Sequence, residues 1–249
     1  MFDPDILIGI ETGGSVEDLS REKLRNVQRA LAWLTYPVSL VDGRFGPNTR
    51  SAFSEFTAEL GEGGTQTLTD TGRETLIAGV RETIPVLRQS VSTKAKTKGA
   101  IVELCRLMGL PLKAQIAYVL ATAQWETAHT FRPVREGLNR SDAWRRKHLK
   151  RYYPYYGRGY VQLTWHRNYD KYGRFLDMDL KGNPDLALQS DASLFILVHG
   201  FITGAFTGRK LKEYINDHQR DFEGARRCIN GTDKWREIKE LAEKHMADL

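Results

Sequence analysis

Apolar residues recur every three or four positions along most of the chain, and alternating patterns are few, so the sequence predicts a mainly α protein. Leu24, Val27, Leu31 and Leu34 fall on one helical face. Ser20 is placed to cap that helix, with Glu22 in the first turn, where the dipole favours an anion. Asp42-Gly43 and Gly46-Pro47 mark a turn, after which Ala52, Phe53 and Phe56 resume the helical period and Gly61 can close it. Leu76, Ile77, Val80 and Ile84 share a third helical face, with Pro85 expected as its end.

Residues 88–99, "RQSVSTKAKTKG", hold little that could be buried and read as a linker. The pattern therefore divides the chain into a small three-helix domain (1–88), a linker (89–99) and a larger helical domain (100–249). In the larger part, "GAIVELCRLMGL" predicts a short helix ended by Gly109. A second helix should start near Pro111 and carry Ile116, Val119, Leu120 and Ala123 as its apolar stripe. "ASLFILVHGFITGAF" is apolar on nearly every side and predicts a central buried helix. "LKEYINDHQRDFEGARRCIN" and the last fifteen residues are expected to complete the helical set.

Composition is that of a globular chain, 41% hydrophobic and 27% charged. The N-terminus carries Asp3 and Asp5 where a secretory signal would be basic, so synthesis in the cytoplasm with export by another route is expected. Cys105 and Cys228 lie far apart within helical patterns and predict buried free thiols. The six histidines show no metal-ligand spacing, and neither a metal nor a cofactor is expected. Charge is uneven: residues 1–90 carry net −4 and residues 91–249 net +10, concentrated at "RSDAWRRKHLKR", 140–151. A basic half fits a polyanionic partner, and on charge alone nucleic acid, an anionic membrane face or an anionic cell wall all qualify. A solvated helix face is the plainer account of the cluster.

The densest chemistry is "YYGRGYVQLTWHRNY", Tyr155 to Tyr169. It combines six aromatic rings, counting His166, with two glycines around Arg158 and the neutral polar residues Gln162, Thr164 and Asn168. Sugar rings stack their apolar faces on aromatic rings, and their hydroxyl and N-acetyl groups require donors and acceptors at fixed places. Gly157 and Gly159 allow close backbone approach. A buried aromatic cluster with satisfied polar groups is the competing account of the same residues.

Two family resemblances bear on that choice. "VQRALAWLTYPVSLVDGRFGPNTRSAFSEF" resembles the helical peptidoglycan-binding domain through Val27-Gln28, Asp42, Gly43, Phe45, Gly46, Pro47, Thr49, Ala52 and Phe56. The resemblance implies wall binding, with Asp42, Arg44 and Phe45 of the turn as candidate contacts. About residues 112–240 resemble glycoside hydrolase family nineteen, the chitinase and phage endolysin class. That resemblance rests on the phrase YYGRG-x-x-Q-L-T-x-x-x-N-Y, on "NPDLALQSDAS" and on "CINGTD".

The second resemblance implies a lysozyme-like helical catalytic domain and a glycosidase site. Glycosidic cleavage normally uses two carboxyl groups. Glu126, at the end of the apolar helix in "ATAQWETAHTF", stands at the family's acid position, where apolar surroundings would keep it protonated. Glu136, in "EGLNRS", is the candidate base, and Thr164 matches the residue that helps hold the attacking water. Tyr156, Arg158, Gln162, Asn168 and Asn230 are candidate substrate contacts, and Arg236 is a weaker match to the arginine that follows "ING" in the family. Trp125, Ala128 and His129, and Tyr160 after "GRG", depart from the family pattern and bear on substrate preference. Together the two modules imply a monomeric endolysin that cleaves bacterial peptidoglycan, with an anionic wall or outer-membrane surface as a further partner and no nucleic acid. A chitinase and a non-catalytic wall-binding protein are the alternatives.

Overall fold

A computed structural model describes residues 1–249, and the chain is mainly helical, as the apolar period predicts. It divides into two compact units, one comprising Met1–Pro85 with Lys171–Met178, the other Val86–Asp170 with Asp179–Leu249.

The first unit holds α1 (Arg21–Trp33), α2 (Pro47–Glu59) and α3 (Asp70–Arg88), the last running on into the second unit. Ser20 caps α1, its Oγ accepting from the Lys23 N–H. Leu24, Val27 and Leu31 are buried together with Phe53 and Phe56 of α2, as their spacing predicts. The "DGRFGP" turn is organised around the fully buried side chain of Gln28. Its Oε1 accepts from the backbone N–H groups of Asp42 (3.0 Å) and Gly43 (2.8 Å), and its Nε2 donates to the Arg44 carbonyl (3.0 Å) and Thr49 Oγ1 (2.9 Å). Gly43 adopts a left-handed conformation (φ +72°), and a Cβ there would overlap the Arg21 carbonyl. The Gln…Asp-Gly…Thr phrase is thus accounted for by local architecture.

The first unit also takes Lys171–Met178 from the later chain. Arg29 donates from Nε to the Arg174 carbonyl (2.8 Å) and from Nη2 to Asp177 Oδ1 (2.8 Å), and Trp33 Nε1 donates to the Phe175 carbonyl (2.7 Å). Helical period could not reveal this pairing, since its members lie more than 140 positions apart.

The second unit contains α4 (Lys94–Leu107), α5 (Lys113–Glu126), the strands β1 (Val134–Arg135) and β2 (Arg158–Gly159), and α6 (Asp142–His148). It continues with the start of α7 (His166–Leu176), then α8 (Ser190–Thr203), α9 (Phe222–Ala225) and α10 (Trp235–Asp248). β1 and β2 pair antiparallel, Val134 opposite Gly159 and Arg135 opposite Arg158. α8 is buried along most of its length and α10 packs along α5. Cys105 and Cys228 are buried free thiols, as expected, and burial pushes both thiols up.

Three expectations are corrected. Pro85 lies inside α3 rather than ending it, because the following Val86 and Leu87 are buried and hold the helix on to Arg88. The stretch expected as a linker contains the first turns of α4. Thr93 caps that helix by accepting from the Lys96 N–H, and Thr97 is fully buried, so a run that reads as polar is helical on good helix formers, Lys and Ala. "LKEYINDHQRDFEGARRCIN" is not one helix but short turns, Leu211–Glu213, Phe222–Ala225 and Arg226–Cys228, broken where Asn216 and Asp221 take local backbone hydrogen bonds.

Candidate active site

α5 is a helix without a polar side: Ile116 to Ala123 are all buried. Its final residue, Glu126, emerges from that packing into a cleft of about 500 Å³. Thr127 ends the helix by donating from Oγ1 to the Ala123 carbonyl (2.6 Å) and accepting from the Phe131 N–H (3.0 Å). The chain then passes through left-handed conformations at Ala128, His129 and Phe131. The turn therefore leaves Glu126 as the last helical side chain, facing the cleft and only 16% exposed.

Glu126 meets an arginine that the sequence reading missed. Arg226, with a side chain 4% exposed, donates from Nη1 to Glu126 Oε1 (2.9 Å) and from Nε to the Asp233 carbonyl (3.0 Å). Burial raises the Glu126 pKa, the neighbouring Arg226 charge and hydrogen bond pull it back down, and the net direction is up. Arg226 lies between the buried Ala225 and Cys228, and nothing in the local sequence marks it as a partner of Glu126. Arg236, the arginine matched from the sequence, is instead exposed and lies over the Trp235 ring, 5.2 Å from its centroid.

Glu136 lines the same cleft one residue beyond β1. Its Oε1 accepts from the Tyr152 hydroxyl (2.7 Å) and its Oε2 from the Gly157 N–H (2.9 Å). Its own N–H donates to the Gly157 carbonyl (2.7 Å), and its carbonyl accepts from Arg145 Nε (2.8 Å). The carboxylate is therefore fixed through backbone and side chain at once, with lone pairs left for a water. The Tyr152 phenol is pushed up to about 12, by burial first and then by the carboxylate to which it donates.

Gln162, Thr164, Asn168 and Asn230 line the cleft as well. Gln162 sits at φ +54° and donates from Nε2 to the Val134 carbonyl (3.1 Å). Thr164 Oγ1 donates to the Gln162 carbonyl (2.8 Å), and Asn168 Nδ2 donates to the Thr164 carbonyl (2.8 Å). A Cβ on Gly157 would lie 2.7 Å from Gln162 Oε1, so glycine makes room for a cleft side chain as well as for the backbone.

Tyr156 and Arg158, expected to touch substrate, do not line the cleft. Both are buried, with the Arg158 guanidinium 3.8 Å from the Tyr156 ring centroid. Arg158 donates to Asp185 (2.8 Å), the Pro154 carbonyl (2.9 Å) and the Tyr169 hydroxyl (3.0 Å). They hold the aromatic stretch in shape because a buried guanidinium must use its donors on fixed acceptors. Of the rings in that stretch, Trp165 is the one that lines the cleft, while Tyr160 and Tyr169 are fully buried.

The cleft thus holds two carboxyl groups, Glu126 with its pKa raised and Glu136 fixed by Tyr152 and the Gly157 N–H. Residues 123–202 match the glycoside hydrolase family 19 model, described as chitinase class I. The matched segment begins within α5, three residues before Glu126, and contains Glu136, Thr164 and the whole aromatic stretch. A 33-residue stretch is 61% identical to Chitinase 8 of Oryza sativa subsp. japonica, 13% of this chain and 13% of that protein's length. The matched segment is thus similar in sequence to a family of glycoside hydrolases. Arg226 and Asn230 lie beyond the match, on the short turns that complete the cleft.

Proposed function

We infer that the protein hydrolyses β-1,4 glycosidic bonds of an N-acetylated glycan by an inverting acid/base mechanism. The carrying observation is the half-buried Glu126, held by Arg226 in a cleft that Glu136 also lines. The Glu126 carboxyl gives its proton to the glycosidic oxygen, and the leaving sugar departs as an alcohol. Glu136 takes a proton from a water that attacks the anomeric carbon from the opposite face, with Thr164 placed to orient that water. Arg226 stabilises the Glu126 carboxylate left behind until it is reprotonated. An inverting pair needs a carboxyl separation of about 6.5–9.5 Å, which leaves room for the water. Proton NMR of the first-formed product tests this: the α-anomer is expected, and a β-anomer would replace the direct water attack with a covalent intermediate.

The biological substrate in this reading is bacterial peptidoglycan, and the protein acts as an endolysin without a metal or cofactor. Support comes from the resemblance of the "DGRFGP" turn region to a wall-binding domain, with the exposed Arg44 and the half-buried Asp42 and Phe45 offered as wall contacts, and from the net +10 of residues 91–249. That charge would draw the enzyme to an anionic wall or outer-membrane surface. A chitinase reading has its own support in the family description and in the name of the rice relative. Turbidity loss of outer-membrane-stripped cells, run beside release of sugar from colloidal chitin, separates the two. Cleavage of neither polymer would favour a non-catalytic wall-binding protein.

A further inference from the structure

Between Thr164 and Asn168 the cleft wall carries Trp165 and Arg167, which no step of the hydrolysis uses. Trp165 is 38% exposed and held at φ +77°, a conformation that a bulky residue adopts only where its surroundings impose it. The Arg151 guanidinium lies 5.1 Å from the centroid of its ring, and Tyr152 meets the same ring edge-on at 5.3 Å. Arg167 is exposed, lines the cleft and occupies the first turn of α7, which has no acidic residue. A cation at that end of a helix opposes the dipole. Neither Arg151 nor Arg167 forms an ion pair. The two cleft carboxylates are otherwise engaged, Glu126 by Arg226 and Glu136 by Tyr152 and the Gly157 N–H. The wall thus presents the Trp165 ring and the Arg167 guanidinium, with the exposed Arg151 guanidinium outside the lining but against the Trp165 ring.

We propose that Trp165, Arg151 and Arg167 form a subsite for a sugar bearing a carboxylate substituent, with the ring stacked on the sugar face and the arginines on the carboxylate. This rests on the hydrolase reading and adds the substrate feature that the site selects. A polymer of N-acetylglucosamine is uncharged and gives the arginines nothing to bind. A glycan whose alternate sugars carry a lactyl ether supplies a carboxylate, either the free lactyl group or the carboxyl groups of a peptide attached to it. Planar guanidinium groups bind both alike.

The test compares four substrates: neutral N-acetylglucosamine hexamer, peptide-stripped wall glycan with free lactyl carboxylates, the same glycan with those carboxylates amidated, and peptide-bearing glycan. Wild type is expected to prefer the carboxylate forms to the amidated one, in KM more than in kcat. The Arg151→Gln/Arg167→Gln double variant should reduce that preference about three- to tenfold, and the Lys/Lys variant should retain much of it. Preference for stripped over peptide-bearing glycan assigns the lactyl carboxylate as the source, and the reverse assigns the peptide. Equal preference in wild type and the Gln/Gln variant would overturn the proposal and make the arginines solvated surface charges. Affinity of Glu126→Gln protein for short carboxylate and amidated fragments gives the same ratio by calorimetry without turnover. Loss of all hydrolysis in wild type would therefore sink the hydrolase reading, while the binding ratio still decides this one.

Discussion

Arg226 Nη1 lies 2.9 Å from Glu126 Oε1, with both side chains largely withdrawn from solvent. The pair sets two opposing influences on one proton. Burial favours the neutral carboxyl needed to protonate a leaving oxygen, and the guanidinium favours the carboxylate that remains afterwards.

Removing the guanidinium should separate these influences. In Arg226→Met the remaining effects of burial and of the Asp233 charge both raise the Glu126 pKa. Activity that requires protonated Glu126 falls as pH rises through that pKa, so the alkaline limb of kcat should move to higher pH. The maximal rate should fall, because the carboxylate product of proton transfer loses its partner. An alkaline limb unchanged in position would show that another group sets it.

Glu126→Gln retains a partner for Arg226 through its amide oxygen but has no acidic proton to give. The folded variant should lose about 10²–10⁴ in kcat on any glycan with a poor leaving group. Near-normal turnover by protein with a native circular dichroism spectrum would transfer the acid role to another residue.

Much of this was legible in the sequence, for identifiable reasons. α1 and α2 announced themselves because one-sided burial imprints a 3.6-residue period, and α5 and α8 because burial on all sides leaves a long, largely apolar run, with Glu126 at the end of the first. Gln162, Thr164 and Asn168, which line the cleft, were legible because they belong to one contiguous phrase, and Glu136, which lines it too, because the phrase around it resembles one of the family's. Arg226 and Tyr152 were not, since each acts through a partner 100 and 16 positions away, a relation that no local pattern encodes. Tyr156 and Arg158 misled for the opposite reason: in a sequence, a ring beside a cation looks the same whether the pair faces a sugar or stacks in the interior.

The two glycines of the aromatic stretch should fail differently. At Gly159 (φ +83°) a Cβ would lie 2.5 Å from Ser193 Oγ, which already accepts from the Tyr160 N–H, and 3.1 Å from the Ala187 carbonyl. Gly159→Ala should therefore destabilise the fold by about 1–3 kcal/mol. At Gly157 the added methyl meets mainly the Gln162 side chain, so Gly157→Ala should displace a cleft residue and raise KM with a smaller loss of stability. Urea unfolding and oligosaccharide kinetics on both variants check the contrast, and a similar loss of stability in both would remove it.

The Arg29 anchor predicts a penalty for a surface change. Arg29 is buried and its Asp177 partner is largely exposed, at φ +54°, a conformation that asparagine tolerates. Asp177→Asn keeps the turn but removes the charge, and should lower stability by about 1 kcal/mol. A fragment ending at residue 90 loses Asp177 together with the Arg174 and Phe175 carbonyls that serve Arg29 and Trp33, and should melt well below the same unit in the full chain. Equal melting temperatures would mean that the later segment contributes nothing to the unit.

His245 supplies a pH signature independent of activity. It is 4% exposed on α10, and its ring Nε2 lies 2.7 Å from Gln124 Oε1, a geometry that makes Nε2 the donor. Burial, followed by the charge of Lys98, depresses its pKa from 6.5 to about 4. Above pH 6.5 the ring is neutral in both folded and unfolded chains and has no effect on the balance. As pH falls from about 6.5 to about 4, the unfolded chain binds a proton that the folded chain refuses, so stability is lost across that window. His245→Gln keeps a polar partner for Gln124 without a titrating ring. The wild type should be the more stable of the two at pH 7.5, and its advantage in melting temperature should shrink steadily towards pH 4.5. A gap that stays constant over that range would mean that the ring protonates as readily in the folded protein as in the unfolded one.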